Sequence, residues 1–156
     1  MNRRNFTLAL TLTPLLLKGA SLNRTFSDER YVVISELFDV LFVKTKQMPR
    51  AQEFGAIDYI IANIEHPTFP IEDKNFLLQG AVDFKDAFPE FFKKNAQEKN
   101  KELQTIQADS EYAQDWISML IYYGIEAMLS DPIYGGNKNK QGWPVNTVII
   151  FVVSKC

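Results

Sequence analysis

SEYAQDWISMLIYYGIEAMLS, residues 110–130, is the stretch whose reading decides the fold. Tyr112, Trp116, Met119, Leu120, Tyr123, Ala127 and Met128 recur there at helical spacing. The ordinary use of such a stripe of aromatics and methionines is core packing. It predicts a long helix, from about Ser110 to Ser130, with other helices against its apolar side. Asp131 stands before Pro132, which disfavours the α region at that position and ends the helix.

Upstream segments carry the same period. Ser27 is read as an N-cap, with Asp28 and Glu29 in a first turn where the helix dipole favours acids. Tyr31, Ile34, Phe38, Leu41 and Phe42 follow at spacings of three and four, on a helix ending before Pro49. Val32, Val33, Val40 and Val43 make a strand the weaker competitor. A second helix is expected from Arg50 to about Glu65, with Phe54, Ile57, Ile60, Ile61 and Ile64 on its apolar face. His66-Pro67-Thr68-Phe69-Pro70 breaks it, and Pro70 suits the first turn of a third helix. Phe88-Pro89-Glu90 interrupts that helix, and the mixed charges from Lys93 to Glu102 read as a solvated helix face. The expected architecture is an all-α, compact bundle of four to five helices over residues 27–143, with a C-terminal Gly-rich loop and a short apolar tail at 144–156.

Composition narrows the function. The chain's 156 residues suit one domain, and 46% hydrophobic content argues against disorder. Residues 1–20 hold Arg3, Arg4 and Lys18 and no acid, leaving 14 basic against 19 acidic residues beyond them. Such a body has no electrostatic footprint for nucleic acid. With one cysteine, Cys156, the chain makes no internal disulfide and no cysteine cluster for a metal. There is no Gly-x-Gly-x-x-Gly, no Gly-Lys-Ser/Thr phosphate loop and no Gly-x-Ser-x-Gly elbow. His66, the lone histidine, sits in a proline-rich turn and reads as a surface or capping residue. Asp83 and Asp86 are compatible with carboxylate chemistry but share their helix with many other charges.

The first segment reads as an export signal: basic Arg3-Arg4, an apolar run from Leu8 to Leu17, then small residues to Ser21. Paired arginines followed by Phe6 look like a bacterial twin-arginine leader, a receptor-read address on residues 1–21. The apolar run is shorter than the roughly 20 residues a membrane span needs. The competing reading is a buried N-terminal helix.

DPIYGGNKNKQGW, residues 131–143, follows the long helix. Gly135, Gly136 and Asn137 accept positive φ and predict a tight turn. Their amide groups are open to a partner or an anion, flanked by Lys138 and Lys140. Tyr134 and Trp143 are of the type that anchors interfaces. Turn chemistry leaves two readings equal: a binding surface, or a loop folded back to fill the edge of the core.

This block resembles the signature of the gluconate 2-dehydrogenase subunit 3 family, the small subunit of periplasmic flavin-dependent sugar and sugar-acid dehydrogenases. The start Met-Asn-Arg-Arg-Asn-Phe is similar to that family's leaders, and the resemblance runs to about Trp143. It implies a non-catalytic partner with no cofactor of its own. FAD would sit in a large catalytic subunit that is exported folded with this chain, and haem c in a third, cytochrome c subunit. Arg3, Arg4 and Phe6 would then address the twin-arginine translocation machinery. Asp131, Pro132, Tyr134, Gly135, Gly136, Asn137 and Trp143 would shape the partner contact. The implied location is periplasmic, at the inner membrane through the complex. The sequence departs from the family after Trp143, where Pro144 and the apolar run Val145–Val153 replace a basic, Gly-Pro-containing end. That run is compatible with a strand on the body, a strand added to a partner's sheet, or a variant terminus. The alternative to the subunit reading is a stand-alone exported helical binding module anchored by an uncleaved leader.

Overall fold

A computed structural model describes residues 28–144. Six α-helices follow in order: α1 Glu29–Leu41, α2 Ala51–Phe54, α3 Ala56–Asn63, α4 Ile71–Ala87, α5 Ala96–Asp109 and α6 Glu111–Leu129. Three 3-10 turns, Pro89–Lys93, Pro132–Tyr134 and Lys138–Lys140, join or follow them. The described residues hold no strand, so this body is all-α as its periodicity predicts. The expected leader with Arg3, Arg4 and Phe6, the expected cap Ser27, and the tail from Val145 lie outside the described residues.

Helix boundaries depart from expectation at two places, each with a local cause. Asp28 is the N-cap of α1, where Ser27 was expected. Its carboxylate accepts from the Arg30 amide at 2.9 Å and is gripped by the Arg30 guanidinium at 2.7 Å. The segment expected as one helix from Arg50 to Glu65 is two, α2 and α3. Gly55 divides them at φ 79°, a left-handed conformation that glycine adopts without steric cost. This break gives six helices where four or five were expected.

α6 packs against α1, α3, α4 and α5 and forms the spine of the bundle. Its Trp116, Ile117, Leu120, Ala127 and Met128 are fully buried, so the stripe from Trp116 to Met128 is core, while Tyr112, expected in it, is exposed and turns its hydroxyl to Asp83. The Trp116 indole N–H donates to the Leu77 carbonyl of α4 at 3.2 Å, which satisfies a polar group deep in the core. Gly80 makes that approach possible, since a Cβ there would lie 2.2 Å from Trp116 Nε1. The nine phenylalanines among the described residues also go into the body. Phe38, Phe42, Phe54, Phe84 and Phe91 are buried, and Phe69, Phe76, Phe88 and Phe92 pack partly buried against them. Phe84 touches Phe88, Phe91 and Trp116 at ring distances of 5.0–5.6 Å, in the range of favourable aromatic pairs.

α5 starts with a reciprocal cap. Asn95 Oδ1 accepts from the Glu98 amide at 3.0 Å, and Glu98 accepts from the Asn95 amide at 3.1 Å. Its charges are more than a solvated face. Lys99 keeps only 12% of its side chain exposed, pairs with Glu36 of α1 at 2.8 Å and lies 5.8 Å from the Phe91 ring. Lys94 pairs with Glu102 at 2.7 Å.

Candidate interaction surface

The loop after α6 is built from the helix end outward. An α-helix leaves its last carbonyls without partners. Here the loop supplies them. The Asn137 amide donates to the Ala127 carbonyl at 2.7 Å, Asn137 Nδ2 to the Ser130 carbonyl at 2.8 Å, and the Trp143 indole to the Leu129 carbonyl at 3.1 Å. Asn137 Oδ1 in turn accepts from the Gly142 amide at 2.8 Å and closes the loop on itself. Asn137 holds φ 41°, a left-handed conformation its short polar side chain tolerates.

Close approach explains two glycines. A Cβ on Gly136 would lie 2.3 Å from the Ala127 carbonyl oxygen, and one on Gly142 would lie 1.7 Å from that of Met128. Gly135 is needed for a different reason, its φ of 90°. Two further ties fix the loop to α3. Lys138 forms an ion pair with Asp58, and Asn63 Nδ2 donates to the Tyr134 carbonyl at 2.8 Å. Lys140 lies over the Trp143 ring at 5.0 Å.

The folded-back reading therefore describes the loop's backbone, with Gly136 and Asn137 buried. The amides of Gly135 and Asn137 are used inside the chain, which corrects the expectation of groups open to an anion at those two positions. Side chains along the same loop face solvent. Ile133 is 80% exposed, Tyr134 52% and Trp143 40%, beside exposed Asp131 and half-buried Pro132. The residues expected at a partner contact thus divide. Gly135, Gly136 and Asn137 set the shape, while Asp131, Tyr134 and Trp143 present surface. Ile133, the most exposed apolar side chain of the loop, was passed over in the sequence because nothing marks an isolated isoleucine after proline.

Asp131 and Tyr134 also border a cleft of about 690 Å³ between α3, the start of α4 and the second half of α6. Tyr59 and Asn63 reach it from α3, Asp73 from α4, and Tyr122, Tyr123 and Glu126 from α6. Tyr123 stacks on Phe69 at 5.0 Å and meets Tyr122 edge-on at 5.1 Å. Its hydroxyl donates to Asp73 at 2.5 Å. Burial, then the Asp73 carboxylate, pushes the Tyr123 hydroxyl well above the usual phenol range. Burial and the neighbouring Glu126 carboxylate do the same to Tyr59. Both phenols stay neutral donors throughout the physiological range. The pairs Tyr59/Asn63 and Tyr122/Glu126 each stand four residues apart on one helix face, the only sequence signal of the cleft.

Other candidates are at rest. His66 is exposed, with Nδ1 2.8 Å from the Thr68 hydroxyl across its turn. Asp83 accepts from Gln79 and Tyr112 on the surface, and these bonds hold its carboxyl below the usual range. The described residues contain no group of His, Cys, Asp or Glu placed to hold a metal ion. None of their helices is long and apolar enough to cross a membrane. No family model, curated protein or solved structure matches the chain.

Proposed function

We propose that the chain is the non-catalytic small subunit of a membrane-associated flavin-dependent gluconate or sugar dehydrogenase complex. In this reading it supports folding, stability and twin-arginine export of a large subunit that bears FAD and the substrate pocket. A cytochrome c subunit would take the electrons onward, and the assembly would work in the periplasm at the inner membrane. Arg3, Arg4 and Phe6 would carry the address.

The observation that carries the reading is the loop at 131–143. It resembles the family signature, its backbone is fixed by Asn137, Gly136 and Gly142, and it leaves Ile133, Tyr134 and Trp143 in solvent. A rigid loop with large exposed apolar side chains suits a surface covered in an assembly, because ordering it on binding costs little. The all-α body holds that loop against α3 and α6.

The test replaces the address without changing charge. In the native host, Arg3→Lys with Arg4→Lys should leave flavin-dependent dehydrogenase activity in the cytoplasmic fraction, because a receptor that reads guanidinium geometry rejects lysine. Undiminished periplasmic activity would overturn the export role.

A further inference from the structure

The cleft beside the loop has a chemistry of its own. Its volume of about 690 Å³ lies in the range of small-molecule sites. Tyr122, Tyr123 and Phe69 pack ring against ring along the cleft, and Tyr134 lines it too, with its carbonyl tied to Asn63. Asp73, Glu126 and Asp131 line the same space, and His66 is the one basic side chain among the lining residues, with no lysine or arginine. Lys74, next along α4, is turned to Glu65 at 2.6 Å. Asp73 receives the Tyr123 hydroxyl at 2.5 Å, which fixes its direction and leaves carboxylate lone pairs for a further donor, and Glu126 lines the cleft beside Tyr59. Ring faces attract cations, and carboxylates pair with them most strongly where water is partly excluded.

We infer that this cleft is a binding site for an organic cation, a guanidinium or alkylammonium group held between the tyrosine rings and the carboxylates of Glu126 and Asp131. Such a group comes from a free small molecule or from an arginine or lysine side chain. A neutral or anionic ligand of the same shape gains nothing from the carboxylates. The site needs no second protein, so it stands or falls separately from the subunit reading.

The test is a titration of the full chain with butylguanidinium and with its uncharged isostere butylurea, followed by the ring resonances of Tyr122 and Tyr134. Saturable shifts are expected with the cation and none with the urea. Glu126→Gln with Asp131→Asn should weaken cation binding at least tenfold. Both substitutions keep an acceptor oxygen for the hydrogen bonds present now, so the fold should survive. Asp115→Asn, on an exposed part of α6 outside the cleft, should leave affinity unchanged. A blocked arginine amide separates the two sources. Binding at least tenfold tighter than butylguanidinium assigns the site to a protein side chain, and equal binding assigns it to a free cation. Equal response to cation and urea, no saturable response to either, or full affinity in the double variant would overturn the assignment.

Discussion

Asn137 is the one polar side chain fully buried among the described residues, and three segments meet on it. Its amide, its Nδ2 and its Oδ1 serve Ala127, Ser130 and Gly142. Asn137→Ala strands the buried Gly142 N–H, at a cost of about 1–3 kcal/mol, and the half-buried Ser130 carbonyl, at about 1 kcal/mol. Urea unfolding should show a loss of about 2–4 kcal/mol. Asn137→Asp should be worse at neutral pH, since a carboxylate would then face the Ser130 carbonyl. A loss below half the expected size would mean that the loop repacks without its hub. Asp39 gives the opposite sign. Burial raises its carboxyl above the usual range, against a lowering from the Gln52 amide bond of 2.7 Å. The folded state therefore holds the Asp39 proton more tightly than the unfolded chain. Asp39 costs nothing below the unfolded value of 3.8, and its cost grows as pH rises through the raised folded value. Asp39→Asn should stabilise modestly at pH 7 and not at pH 3, in paired melts of the two proteins. A gain of equal size at both pH values would point to packing instead of charge.

At the scale of the element, α6 illustrates what sequence periodicity conveys. Its stripe from Trp116 to Met128, its start after Ser110 and its stop before Pro132 were legible, because helical period, capping and proline chemistry are local. The break at Gly55 was not legible, since a lone glycine in a periodic segment is equally compatible with an unbroken helix at a cost of about 1 kcal/mol. Gly80 looked the same in the sequence and has a different cause, the Trp116 ring of another helix. The two can be told apart by Gly80→Ala. Helix propensity alone favours alanine by about 1 kcal/mol, but a Cβ placed 2.2 Å from Trp116 Nε1 forces the ring or the helix to move. The clash should win, lowering stability by about 1–2 kcal/mol in denaturant melts and weakening the near-UV tryptophan signal. Raised stability would show that Trp116 has room to shift. The cleft was the least legible part. Tyr59, Asp73, Tyr123 and Glu126 come from three helices, and their meeting depends on packing that no local pattern encodes.

At the scale of the whole molecule, the loop is held in a fixed shape against α3 and α6. Turn chemistry alone left that loop evenly placed between structural cap and binding surface, and the family resemblance favoured the surface. The structure gives its backbone to the first role and its exposed side chains to solvent, and we propose that a catalytic partner covers those side chains. The direct measurement is purification of the tagged chain from its native host, with determination of complex mass and bound flavin. A much larger flavoprotein should accompany the chain in fixed ratio, and Ile133→Asp with Tyr134→Asp should release it while the helical content stays unchanged. A monodisperse monomer without flavin would contradict the account and favour a stand-alone binding module.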